Sequence, residues 1–151
     1  MKLKKINKVL IALDYDPTAR IVAEKGYLFA KSMGAEVILM HVLLDLAYYS
    51  LEYLYKDPMK LSAVEELNQI SLAYLEKTKL RLNDKKIQIL VKEGDFADSI
   101  LATAIELDAD FIIMGSHSKN WFGDIVMGSV TEKVLKNTSI PLLIIPIKKL
   151  Q

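Results

Sequence analysis

The chain has 151 residues, of which 20 are basic and 19 acidic, for a net charge of +1. That length suits one domain, and a hydrophobic fraction of 52% excludes a disordered chain. The near-neutral balance speaks against a nucleic-acid binder, and the lack of cysteine excludes disulfides, thiolate chemistry and cysteine zinc sites.

With only His41 and His117, a multi-histidine metal site is not expected either. The opening MKLKKINKVLIALD does not read as a signal peptide, because its apolar run is short, ends at Asp14 and has no small-residue cleavage site. No stretch approaches 18 uninterrupted apolar residues, so no membrane span is expected and the expected location is the cytoplasm. Lys2, Lys4 and Lys5 read as a solvated end.

From there short apolar runs alternate with longer segments of helical spacing. The first run is Lys8–Leu13 (KVLIAL), and Pro17–Met33 follows as a helix with Asp16 as N-cap, Ile21 and Leu28 on its stripe and Gly34 to end it. The second run is Glu36–Val42 (EVILMHV). A long helix is predicted from about Met59 to Leu82, carrying Leu61, Val64, Leu67, Ile70, Leu75 and Leu82. The third run, Ile87–Lys92 (IQILVK), leads to a helix from Asp95 or Ala97 to Leu107. The fourth run is Asp110–Gly115 (DFIIMG), the last helix spans Gly128–Lys136, and Pro141–Ile147 (PLLIIPI) closes the series.

Continuous apolar runs of this length suit strands buried on both faces of a parallel sheet. The alternation predicts a single α/β domain over residues 1–151, a doubly wound five-stranded parallel sheet with helices on both faces and order 3-2-1-4-5. Such sheets bind ligands outside the carboxyl ends of the strands where the winding reverses, here between strands 1 and 4. Asp14 and Gly115 stand at those two tips.

Three of the six glycines, Gly115, Gly123 and Gly128, cluster there. Glycines let a backbone approach a ligand closely and take positive φ, and a helix starting at Gly128-Ser129 offers unpaired N–H groups to a phosphate. Ser129 adds a hydroxyl, and Lys119 and His117 are candidate cations. No Walker A sequence or dinucleotide fingerprint is present. Ser129-Val130-Thr131-Glu132 also reads as a capping box, which needs no ligand, so both readings stand at this point. Asp14 reads either as an acceptor for a ribose hydroxyl or adenine amine, or as a cap on the following turn. His41, inside an apolar strand, reads as a satisfied core histidine, and no spacing compels a hydrolytic triad.

VLIALDYDPTA, AEVILMHV, EGDFADSILATAIELDADFIIMGSHS and MGSVTEKVLKNTSIPLLIIP occur in this order along the chain. Together they resemble the universal stress protein family over essentially the whole length. The resemblance implies a Rossmann-like sheet of the adenine nucleotide alpha hydrolase type, and in the ATP-binding branch a phosphate signature G-x2-G-x9-G-[S/T]. Gly115 and Gly128-Ser129 match that signature, whereas its second glycine is Ser118. A serine there resists positive φ by roughly 1 kcal/mol, which weakens phosphate binding without abolishing it. The resemblance further implies that Ala12 and Asp14 border the adenosine, with Leu13 between them among the binding residues, that the Val42 backbone meets the adenine edge and that Met114 lines base and ribose. It assigns Gly115, Ser116, His117, Ser118 and Lys119, with Gly128, Ser129, Val130 and Thr131, to the phosphate side. ATP or a related adenine nucleotide is the implied ligand, with Mg2+ or Mn2+ beside the phosphates. A nucleotide-independent interaction module and a slow ATPase are the alternatives.

Two further stretches bear on partners. Tyr48, Tyr49, Tyr53 and Tyr55 read as a cover for the core, or else as a mobile lid or docking surface; Trp121 and Phe122 read as packing the glycine loop or meeting another subunit. Pro141–Ile147 falls on a sheet edge, and an edge that apolar invites pairing with a second copy. The resemblance implies a homodimer through the same strand.

Overall fold

A computed structural model describes residues 1–43, 58–116 and 127–147, with the backbone alone over 58–62. The tyrosine stretch 48–55, His117, Ser118, Lys119, Trp121, Phe122 and Gly123 lie outside the described residues. The order along the chain is β1 (Lys8–Ala12), α1 (Ala19–Ser32), β2 (Glu36–Leu43), α2 (Pro58–Leu82), β3 (Gln88–Glu93), α3 (Phe96–Glu106), β4 (Phe111–Gly115), α4 (Ser129–Asn137) and β5 (Leu142–Ile145). All strand pairs are parallel, and the sheet order is β3-β2-β1-β4-β5. This is the predicted doubly wound order.

The apolar runs become strands because both faces of the sheet are covered. Val9, Ile11, Leu39 and Ile113 point into one core, and Leu10, Ile38, Met40 and Ile112 into the other. Each of these side chains is at most 2% exposed, and burial of each contributes about 1.5–3 kcal/mol. α1 lies in the first core through Ala19, Val22, Ala23 and Ala30; α3 and α4 lie in the second through Ala97, Ile100, Ala104 and Val134.

The helices depart from the expected stripes in two places. On α1 the sheet is met by Ala19, Val22, Ala23, Gly26 and Ala30, while Leu28 is exposed. The helix rides too close for a large residue: a Cβ on Gly26 would sit 3.1 Å from Ile11 Cδ1 and 3.2 Å from Ile113 Cγ2. On α2 the inward residues are Ser71, Leu75 and Thr78, and Leu67 and Ile70 are exposed. Thr78 tolerates burial because its hydroxyl donates to the Tyr74 carbonyl at 2.9 Å.

The helix ends obey local chemistry. Asp16 does not cap α1 directly. Its Oδ1 accepts the Thr18 N–H at 2.8 Å and the Thr18 hydroxyl at 2.6 Å, and so holds the turn that starts the helix at Ala19. Gly34 ends α1 at φ +68°, and Ala35 N–H reaches back to the Ala30 carbonyl at 3.0 Å, as in a Schellman cap. Asp95 caps α3 by accepting the Asp98 N–H at 2.9 Å.

Lys4 is not merely a solvated lysine. It pairs with Asp110 at 2.8 Å, and the same carboxylate, 5% exposed, accepts the N–H groups of Asn7 and Lys8 at 2.8 and 3.0 Å. Asp110 thus ties the entry of β1 to the entry of β4. The Lys4 ammonium, then the Asn7 and Lys8 N–H groups, hold its carboxyl below the ordinary value of 3.8. A depressed folded-state pKa stabilises above the ordinary value, and this contribution is lost as pH falls through the folded one. Asp110→Asn is therefore expected to lower stability at pH 7, with the difference from wild type shrinking in denaturant titrations as the pH is taken progressively below the ordinary value of 3.8.

Candidate functional site

At the carboxyl pole of the sheet, β1 ends at Ala12 and β4 at Gly115, on neighbouring strands whose Ile11 and Ile113 are paired. Between their exits lies a hollow that opens to solvent. Ala12, Leu13 and Asp14 line it from β1, Val42 from β2, Met114 and Gly115 from β4, and Gly128, Ser129, Val130 and Thr131 from the start of α4. These residues, assigned to one site from the sequence, are thus brought to one cavity. Ser116 is not on its wall. Ser116 is 2% exposed, and its hydroxyl accepts the Ile147 N–H at 2.9 Å.

The capping-box reading of Ser129 and Glu132 does not hold. The N-cap is Gly128, in extended conformation at φ −66° and ψ 157°, with no side chain to cap the helix. The shift by one residue goes with a bond from outside the helix, since Gly128 N–H is held by the Ser116 carbonyl at 2.8 Å. Glu132 pairs with Lys136 at 2.9 Å on the helix surface. The first intrahelical bond runs from Glu132 N–H to the Gly128 carbonyl at 2.9 Å, so the N–H groups of Ser129, Val130 and Thr131 have no partner within the helix. They carry the positive end of the helix dipole into the hollow. Thr131 fixes their position, because its buried hydroxyl donates to the Gly115 carbonyl at 3.0 Å.

Packing by itself requires a glycine at position 115. A Cβ there would lie 2.5 Å from Ile147 Cδ1 and 2.9 Å from Val22 Cγ2. His41 is the satisfied core histidine expected: it is buried, and its Nδ1–H donates to the Leu13 carbonyl at 2.7 Å.

Sequence reasoning missed Thr18, Ala19, Val22, Met40, Phe96, Ile100 and Ile147, all of which line the hollow. Phe96 had a usable signal. It directly follows Gly94-Asp95, at the carboxyl end of β3, and helix starts at that pole face the crevice. Gly94, at φ +140° and with Ser99 Oγ only 2.8 Å from a would-be Cβ, shapes that turn. Ile147 had none, because its position depends on how the chain bends after β5. The wall made by Met40, Val42, Ile100 and Met114 is buried and apolar, while Asp14 at the rim is exposed. One side of the hollow suits a flat apolar ring, and the other suits an anion.

The profile of the universal stress protein family matches residues 5–146. The chain belongs to this family. Universal stress protein MJ0577 of Methanocaldococcus jannaschii is 30% identical over 156 residues, covering 91% of this chain and 93% of that one. The solved structure of MJ0577 superposes with a TM-score of 0.77, covering 97% of this chain and 99% of that chain at 29% identity. A universal stress protein solved in complex with cAMP shares the fold at a TM-score of 0.64 and 15% identity, over 94% of this chain and 98% of that chain. Among the described residues no helix is long and apolar enough to cross a membrane.

The packing at Gly115 gives a test. Gly115→Ala is expected to lower stability by about 1–3 kcal/mol through overpacking. Ile147→Val removes the methyl group nearest the clash, so adding it to Gly115→Ala recovers part of the loss in thermal melts.

Proposed function

We propose that the hollow binds an adenine nucleotide, ATP in the first place, and that the chain is a cytoplasmic stress-response protein working by binding rather than by turnover. The observation that carries this reading is the start of α4, where among the described residues no side chain caps the helix. Ser129, Val130 and Thr131, whose N–H groups have no partner within the helix, line the same cavity as an apolar slot and the Asp14 rim. Phosphates meet donors and a dipole there, and the base meets Val42, Met114 and Ile100. That a relative of the same fold has been solved with cAMP supports the choice of an adenine nucleotide.

Mg2+ or Mn2+ would accompany the phosphates. Among the described residues no group of three or more His, Asp or Glu could hold a metal. A hard cation would therefore be carried on phosphate oxygens and water, the usual manner for Mg2+. Ser118 stands where the phosphate signature has a glycine, which lowers the expected affinity.

ATP at about 100 times its Kd is expected to raise Tm by about 5–10 °C. Gly128→Val should remove the shift, because the extended backbone at that position accepts valine while its side chain fills phosphate space. Ser118→Gly should strengthen binding. A flat ATP titration to millimolar concentration would leave the interaction module as the better account.

We also propose a homodimer through residues 141–147. In β5 the carbonyls of Pro141 and Ile145 accept from β4, so Leu142 and Ile144 turn their N–H and C=O groups outward along the free edge. Ile144→Pro deletes an outward donor without removing a bond to β4. It is expected to convert dimer to monomer in sedimentation equilibrium, and an unchanged dimer would place the interface elsewhere.

A further inference from the structure

The rim of the hollow is the short segment Leu13–Asp14, and its backbone is held at three points. Leu13 N–H donates to the Met40 carbonyl at 2.8 Å, and the Leu13 carbonyl accepts from His41 at 2.7 Å. The Asp14 carbonyl accepts the Tyr74 hydroxyl at 3.0 Å. The first two partners lie on β2. The third reaches across from α2, 60 residues along the chain.

Tyr74 does not line the hollow, yet it is well fixed. Its ring packs on Tyr15 with centroids 4.9 Å apart, and meets His41 edge-on at 6.3 Å and 74°. Tyr15 and His41 are also 6.3 Å apart, so rings from the β1 exit, β2 and α2 form one cluster under Asp14. Burial raises the Tyr74 phenol above its ordinary value of 10.0, which keeps the hydroxyl a proton donor at neutral pH.

Successive carbonyls held in this way leave little freedom in the backbone torsions at Asp14. The direction in which its carboxylate leaves the rim is then set by the cluster rather than by the exposed turn that follows. Resting on the reading of the hollow as an adenine-nucleotide site, we propose that Tyr74 is a positioning residue, whose hydroxyl on the Asp14 carbonyl aims the Asp14 carboxylate at the nucleoside half of the ligand. The phosphate half is held from α4 and does not involve Tyr74.

The test is a double-mutant cycle by isothermal titration on the full chain. Tyr74→Phe keeps the ring and removes only the hydroxyl. Its bond lies at the surface, so Tm should move by no more than about 2 °C. ATP binding should weaken about three- to tenfold, the scale of one neutral hydrogen bond. Binding of inorganic tripolyphosphate should not change. In an Asp14→Asn background, Tyr74→Phe should cost nothing further, because the group it aims has been neutralised. The proposal is overturned if Tyr74→Phe binds ATP as the wild type does, if its loss carries over in full to the Asp14→Asn background, or if tripolyphosphate weakens equally. A wild-type chain that takes up no ATP overturns the reading of the site, and this inference with it.

Discussion

β1 and β4 lie side by side, and the helices that follow them along the chain pack on opposite faces of the sheet. After β1 comes α1, which packs in the core of Val9, Ile11 and Ile113. After β4 comes α4, whose Val134 packs in the core of Leu10 and Ile112. No helix can cover the gap between two diverging exits, so a crevice follows from strand order alone. The crevice is lined by the β1 and β4 tips at Asp14 and Gly115, by the start of the helix after β4, and by side chains such as Val22 and Ile100 from helices on either face.

A gap of this kind would collapse if the surrounding backbone were left unsatisfied. Here the groups around it are bonded to one another behind the hollow. Ser116 N–H donates to the Ile145 carbonyl at 2.9 Å, its carbonyl holds Gly128 N–H, and its hydroxyl accepts Ile147 N–H. Thr131 closes the ring on Gly115. Ser116 and Thr131 are each 2% exposed, and burial makes such bonds costly to lose. The result is a division of labour: side-chain hydroxyls serve the frame, and the main-chain N–H groups of α4 are left to face the cavity.

This division explains what could be read from the sequence and what could not. Strand order and helix order were legible, because runs such as EVILMHV have no other economical use than strands buried on both faces. The site's location followed from the same pattern. The roles of individual residues were less legible. Ser129 looked like an N-cap because SVTE satisfies a local rule, yet a long-range bond from Gly128 to Ser116 moved the helix start by one residue. At Gly115 the glycine loop gave no sign of a packing demand, yet Ile147, far along the chain, occupies the space beside it. Leu28 looked like a core residue by spacing, yet the close approach at Gly26 gave the sheet-facing stripe to alanines. In each case a tertiary contact overrode a sound local signal.

The two halves of the hollow differ in how firmly they are built. α3 and α4 are linked on the outside by Lys133, which reaches Asp95 at 3.1 Å and Asp98 at 3.2 Å. All three side chains are about half exposed or more, and pairs of that kind contribute little once water and salt screen them. These ion pairs therefore do not hold the distance between Phe96 and the α4 start. The buried contacts of Ala97, Ile100 and Val134 do, with the Thr131 hydroxyl bond. At the β1 rim the described contacts are the buried Leu13 side chain and hydrogen bonds from His41 and Tyr74. The hollow is thus framed by buried packing at the start of α4 and by discrete hydrogen bonds at the Leu13–Asp14 rim.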